Sequence, residues 1–176
     1  GIPVTNIEEA RSIRDAHITK STGTNLTFLS FDGMRQGRFD MPWANPVVRQ
    51  ALSYAIDREG ITKALFANGE GATPHGSFSM KYVRGYVDIP VDPYDPDEAR
   101  RLLSAAGYED GFEIPFMSSS TPEWALAIQS LWREIGVEMV FDILDPAAQQ
   151  QRVLQHKLFG VTPRGVGIYK PDPAGW

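Results

Sequence analysis

Apolar residues recur in helical steps through Asn45-Pro46-Val47-Val48-Arg49-Gln50-Ala51-Leu52-Ser53-Tyr54-Ala55-Ile56-Asp57-Arg58-Glu59. A step of about 100° per residue puts Val48, Ala51, Leu52, Ala55 and Ile56 on one side and Arg49, Gln50, Ser53 and Asp57 on the other. The pattern predicts a helix with one buried and one wet face. Pro46 suits the first helical position, where a missing N–H costs nothing. Asn45 before it suits the cap.

The same grammar recurs. Asn6 and Glu9 have capping-box spacing, which predicts a short helix from Ile7 to about Asp15. Residues 16–21 form a short, mixed strand-like run. Residues 25–32 alternate, with Leu26 and Phe28 on one face and Leu29 and Phe31 on the other, as in a strand covered on both sides. Gly23 between the two runs suits a hairpin turn. Residues 33–44 read as a loop with Trp43 near its end, and a second helical piece spans about 59–66. The stretch 67–94, rich in Gly, Pro and aromatic residues, reads as one long loop. Loops of that length in a compact domain are commonly functional or packed on another domain.

Asp95-Pro96-Asp97-Glu98 then reads as cap, first helical residue and capping box. Ala99, Leu102, Leu103 and Ala106 share a face, and Gly107 stops the helix. Beyond it the pattern alternates strand and helix. Residues 113–117 form a strand. Thr121-Pro122 opens a helix to about Ile135, with Thr121 as its cap and Trp124, Ile128, Leu131, Trp132 and Ile135 on its apolar side. Residues 137–144 form a strand. Asp145-Pro146 opens a helix to about Lys157, whose Gln149, Gln150 and Gln151 predict an exposed surface. Residues 160–169 form a last strand, interrupted by Pro163. Helices between strands imply a largely parallel sheet and an α/β class.

Composition narrows the field. A chain of 176 residues fits one domain or one lobe of something larger. It has no cysteine, which excludes disulfides, thiolate metal sites and cysteine nucleophiles within it. A net charge of −5 argues against nucleic acid and against an anionic membrane surface. No apolar run is long enough to span a bilayer. No signal peptide is visible at Gly1, so an export signal is expected outside this segment.

The order of residues from Asn45 to Glu59 resembles the signature helix of the family 5 extracellular solute-binding proteins, the peptide- and nickel-type receptors of ABC importers. Gly71-Ala72-Thr73-Pro74, followed by Gly76-Ser77-Phe78, is similar to that family's A-T-x-x-G-x-F passage. Tyr94-Asp95-Pro96 through Ala106-Gly107-Tyr108 is similar to its Y-D-P-x-x-A-x-x-L-L-x-x-A-G-Y hallmark, and Asp110-Gly111-Phe112 follows in the expected order. The resemblance implies a type II (cluster C) periplasmic-binding-protein fold of mixed α/β kind, with a mixed sheet flanked by helices. It further implies that residues 1–176 are one partial lobe of a two-lobed protein, with the second lobe supplied by residues outside this segment.

Other chemistries find little footing. No G-x-S-x-G elbow, H-E-x-x-H pair or P-loop is present. The histidines His17, His75 and His156 have no metal-ligand spacing. Ser77 and His75 are close in sequence, yet no third partner or oxyanion hole is marked. Asp88, Asp92, Asp95, Asp97 and Glu98 lack the glycine and terminal glutamate of a calcium loop and read as turn and cap residues. No cofactor is implied.

Ligands of open parallel sheets collect beyond the carboxyl ends of strands. Two segments fall there. Ser118, Ser119, Ser120 and Thr121 offer hydroxyls and amides to a carboxylate or other acceptor, and read equally well as a wet turn ahead of a helix. Gly165-Val166-Gly167-Ile168-Tyr169-Lys170-Pro171-Asp172-Pro173 is similar to the family's closing G-W-x-A-D-Y-x-D-P. In peptide-binding members the acid of that passage pairs with the α-amino group of the ligand. Here Tyr169 stands at its place, Val166 replaces the tryptophan, and Gly167 and Asp172 complete the candidate set. A buried ammonium without an anion costs several kcal/mol. The expected ligand therefore lacks a free α-amine at this subsite: a sugar, an opine-like conjugate or a blocked peptide, with Tyr169 stacking or donating its hydroxyl. A shift of one or two residues in the alignment makes Asp172 the acid instead.

The resemblance implies a substrate-binding component, not an enzyme. Its partners are a small solute (oligopeptide, opine-like or sugar conjugate) and the permease subunits of an ABC importer. Its location is periplasmic or extracytoplasmic, a lipid-anchored form included. A ligand-sensing lobe of a transcription regulator and an enzyme of unrecognised type stand as alternatives.

Overall fold

The computed structural model describes residues 7–13, 25–32, 37–69, 71–77, 79–81, 83 and 85–167. The expected strand over 16–21, the turn at Gly23, the last residues of the first helix and strand residues 168 and 169 lie outside them. The elements are α1 (Ile7–Ser12), β1 (Asn25–Asp32), α2 (Pro46–Tyr54), α3 (Arg58–Leu65), α4 (Pro96–Ala105), β2 (Phe112–Ser118), α5 (Glu123–Arg133), β3 (Val137–Ile143), α6 (Pro146–Leu154) and β4 (Gly160–Gly167). The chain is of mixed α/β type and divides into two compact units. One comprises residues 27–57 and 92–165, the other residues 1–26, 58–91 and 166–176.

The larger unit holds β2, β3, most of β1 and β4, and most of the core. α2 begins as its sequence demands: the Val47 N–H donates to the Asn45 side chain at 2.9 Å, and Pro46 follows the cap. Val48, Ala51, Leu52, Ala55 and Ile56 are all buried. α4 packs on α2 through Ala99 and Leu103, both buried. The Glu98 N–H donates to the Asp95 carboxylate at 2.9 Å. The expected reciprocal half of that capping box is not made. The Asp95 N–H donates instead to the Tyr54 carbonyl at 2.9 Å, and the Glu98 carboxylate takes the Arg101 guanidinium at 2.6 and 2.7 Å. The end of α2 thus satisfies the start of α4.

α5 is locked to the same pair. The Trp132 indole N–H donates to the Leu52 carbonyl at 3.0 Å. α2 ends two residues after Leu52, which frees that carbonyl from a helical partner. Trp132 supplies one from a fully buried position. Trp124, on the same helix, meets Phe116 edge-on with centroids 6.1 Å apart. The expected cap of α5 is corrected: Pro122, in extended conformation, occupies the cap position without a side-chain hydrogen bond, and Thr121 is exposed. Pro122's carbonyl accepts the Ala125 N–H at 2.9 Å, so the helix starts one residue later than the Thr-Pro pattern predicts.

The four strands lie in the order β1-β4-β2-β3. β2 and β3 are parallel from Phe112↔Val137 to Ser118↔Ile143, and β4 runs parallel to β2 with Phe116 opposite Val161. Gly111, at φ +75°, brings its backbone so close to Gly136 that a Cβ there would collide with the Gly136 carbonyl. The close approach of the two strand entries therefore requires glycine. Pro163 does not interrupt β4, which continues through it to Gly167. It withholds one amide and leaves the strand extended. α6 ends at Leu154, short of the expected Lys157. His156 takes φ +54°, and the Lys157 N–H turns back to the Arg152 carbonyl at 2.8 Å. None of its residues is fully buried, as its glutamines predict.

In the smaller unit, α3 is followed by a tight turn at residues 67–69. Among the described residues of the stretch 67–94 there is no longer helix and no strand. Gly76 lies against the backbone of Ile89 and Pro90, where a side chain would overlap both carbonyls. That contact is a physical reason for the glycine in Ala72-Thr73-Pro74-His75-Gly76.

Candidate functional site

Because β2, β3 and β4 are parallel, their carboxyl ends share one rim of the sheet. Ser118 ends β2 level with Ile143, and its carbonyl accepts the Leu144 N–H at 2.9 Å. Its hydroxyl accepts the Ser120 N–H at 3.3 Å, and the residue is buried. Ser118 therefore spends both its oxygens on shaping the turn. Ser119, Ser120 and Thr121 are exposed on that turn. Glu123, in the first turn of α5, already faces the positive end of the helix. That acid makes the helix start a poorer anion cradle than a bare one.

Val161 of β4 stands opposite Phe116 of β2, and β4 continues from there through Thr162 and Arg164 to Gly167. Arg164 reaches toward β1, its Nη2 3.9 Å from Asp32 Oδ2. Asp32 Oδ2 and Thr162 Oγ1 are buried without a hydrogen-bond partner. The backbone at Asp32 is held firmly all the same. Its carbonyl accepts the Trp43 indole N–H at 3.0 Å. Trp43 is buried, edge-on to Phe159 at 5.0 Å. Arg49 of α2 donates from Nη1 to the Trp43 and Ala44 carbonyls, both at 2.9 Å. Arg38 stacks over the same Phe159 ring at 4.2 Å.

The structure thus gathers Ser118 to Thr121 into one turn at the rim. Gly167 closes β4. Tyr169 and Asp172 lie outside the described residues. Asp32, Thr162 and Arg164 were not singled out by the sequence reading. The available signal was strand alternation, which sets Thr162 and Arg164 on one face of a strand otherwise made of small and apolar residues.

Elsewhere the polar groups serve the fold. Asp92 accepts the Ser53 hydroxyl at 2.6 Å, and Asp88 accepts the Tyr86 hydroxyl at 2.8 Å. The hydrogen bond to Asp88, with smaller contributions from burial and from the charge of Asp88, raises the Tyr86 phenol above its ordinary value. Burial, then the charges of Glu134 and Asp57, raises the Tyr94 phenol, against a lowering by Arg100. Ser77's hydroxyl accepts the Ser79 N–H at 3.3 Å, and the His75 ring lies 6.1 Å from that of Tyr86. Among the described residues, no three His, Asp or Glu side chains come together to hold a metal ion.

Residues 1–176 match the family model of the bacterial extracellular solute-binding proteins, family 5 Middle. The glutathione-binding protein GsiB of Salmonella typhimurium is 37% identical over 143 residues, which cover 77% of this chain and 26% of that protein. Among solved structures, the periplasmic binding protein DppA of Helicobacter pylori in complex with the peptide STSA superimposes with a TM-score of 0.80 at 23% identity. The match covers 98% of this chain and 33% of that one. AgaA of A. tumefaciens R10, in complex with agropinic acid, gives a TM-score of 0.71 at 27% identity, over 93% of this chain and 33% of that one. The chain spans about a quarter of the length of the curated relatives it matches.

Proposed function

The chain belongs to the family 5 bacterial extracellular solute-binding proteins, and from that premise we propose that it is part of the solute-gripping component of an ABC importer. The match of the whole chain, residues 1–176, to the family carries this reading. The relatives named above are binding proteins, and none is a regulator or an enzyme. The reading accordingly assigns the segment no bond-making step. Its work is to close with a second lobe around a solute, by hinge motion, and to release it to membrane permease subunits. It places the protein outside the cytoplasm, in the periplasm or at a lipid-anchored position.

The solute contacts proposed here are Ser119, Ser120 and Thr121 at the end of β2, with Ser118 shaping their turn, and Gly167, Tyr169 and Asp172 along and beyond β4. Family membership leaves the solute open. The relative and the structural neighbours above are named for, or hold, glutathione, a peptide and agropinic acid. The residue order of this chain narrows it. Tyr169 in place of an acid favours a solute with no free α-amine at that subsite, such as an opine-like or sugar conjugate or a blocked peptide.

Calorimetric titration of the full-length receptor with dipeptides, γ-glutamyl peptides and amino-acid conjugates tests this. The expected result is submicromolar binding of one class, with ordinary dipeptides weak. Nanomolar dipeptide binding that survives Tyr169→Phe contradicts the solute assignment. Failure of every solute contradicts the receptor reading. Residues 1–176 alone, offering part of the contact surface, are expected to show no measurable affinity.

A further inference from the structure

Among the described residues, two buried side-chain oxygens lack a hydrogen-bond partner, and both belong to the neighbourhood of one arginine. Asp32 Oδ2 lies 3.9 Å from Arg164 Nη2, beyond hydrogen-bonding distance. Thr162, whose Oγ1 is the other orphan, sits two residues before Arg164 in β4 and therefore on the same face. Thr162 is 1% exposed. Arg164's side chain is 35% exposed and Asp32's 17%. An unmatched buried polar atom is costly, and two of them beside an underused guanidinium specify what is missing. A carboxylate only accepts, so the missing group donates to Asp32. A guanidinium only donates, so the same group accepts from Arg164. The threonine hydroxyl serves either way.

Resting on the receptor reading above, we propose that Asp32, Thr162 and Arg164 form a subsite for the α-amino-acid head of the solute. The ammonium goes to Asp32. The carboxylate goes to Arg164 and Thr162, and the guanidinium swings off Asp32 to receive it. Entry is past Arg164, the most exposed of the three. Arg164 lies three residues beyond Val161, in the carboxyl half of β4. The geometry also selects among solutes. An ordinary peptide carries its free ammonium and its free carboxylate at opposite ends. A γ-glutamyl peptide, or another conjugate linked through a side chain, carries both on one carbon. The subsite suits the second kind, and it binds that head away from Tyr169.

The test is calorimetry on the full-length receptor with γ-glutamylglycine, its N-acetyl form and its α-amide. Each blocked form is expected to bind at least about tenfold more weakly than the intact compound, the scale of one charged hydrogen bond lost. Asp32→Asn is expected to weaken the intact compound by a similar factor and to leave the N-acetyl form unchanged. Arg164→Gln is expected to do the same with respect to the α-amide. The comparison of compounds needs no variant, so it stands even where Asp32→Asn fails to fold. Blocked and intact forms binding alike overturn the subsite. So does a crystal structure with only an ordered water between Asp32 and Arg164 and the solute head elsewhere. A receptor that binds dipeptides tightly and refuses γ-glutamylglycine overturns the subsite alone. One that binds no solute of any class overturns the receptor reading as well.

Discussion

The packed helices α2, α4 and α5 and the parts of β1 and β4 that hold Asp32, Thr162 and Arg164 belong to one compact unit, yet they treat their polar groups differently. In the helices, groups at the end of α2 and the start of α4 find partners in other elements. Trp132 takes the Leu52 carbonyl, and Tyr54 takes the Asp95 amide. At the strand pair, Asp32 Oδ2 and Thr162 Oγ1 are buried without partners, and the nearest cation stands 3.9 Å away. The first region is finished by the chain itself. The second is not. That contrast separates a frame from a less satisfied rim, since full internal satisfaction rigidifies a region.

The largest effect expected from breaking the contrast lies in the frame. Trp132→Ala should cost about 3–5 kcal/mol in denaturant unfolding, because it empties the space of a fully buried indole. Trp132→Phe should cost about 1–3 kcal/mol, chiefly by stranding the Leu52 carbonyl. A loss below that range would mean that water replaces the indole and that the frame is less sealed than described. Next, Asp95→Ala removes the cap of α4 and should cost about 1 kcal/mol.

On the rim the sign reverses. Thr162→Val removes an unpaired hydroxyl without changing the branching, and should raise the stability of the unliganded protein by up to about 1 kcal/mol. A destabilised Thr162→Val protein would show that the hydroxyl is in fact satisfied, and the contrast between the regions would lose half its basis.

The smallest expected effect sharpens the frame's outer surface. The hydrogen bond from Arg101, ahead of the opposing influence of burial, holds the Glu98 carboxyl below its ordinary 4.5. A carboxyl more acidic in the folded than in the unfolded state stabilises above the unfolded value, and that increment fades as pH falls through the folded value. Glu98→Gln should therefore lose a small increment of stability at neutral pH, lose nothing at pH well below the folded value, and so flatten the dependence of stability on pH below 4.5, as followed by thermal unfolding. An unchanged acid slope would remove Glu98 from the account.

The frame was largely legible in the residue order and the rim was not, for reasons of range. Asn45-Pro46, Asp95-Pro96 and Asp145-Pro146 each carry cap and first helical residue side by side, and each opens a helix as read. Thr121-Pro122 has a similar look and fails, because Pro122 itself becomes the cap and leaves Thr121 in solvent. The apolar face of α2 follows from periodicity alone. Its tie to Trp132, eighty residues along the chain, does not. The Glu98 half of the capping box was lost to a competitor that local spacing cannot display, the Tyr54 carbonyl. Asp32 and Arg164 come from the first and last strands of the sheet. Only the placement of β4 between β1 and β2 makes them neighbours. The serine turn was read as a place and not as a division of labour, in which Ser118 holds the turn and the next three residues are offered outward.

The most direct test of the whole account is a crystal structure of the full-length receptor with its solute bound. The account predicts solute density against Ser119, Ser120 and Thr121 at the carboxyl rim of the sheet, with the Arg164 guanidinium turned from Asp32 onto the solute. Solute seated away from that rim, with Arg164 still facing Asp32, would contradict it.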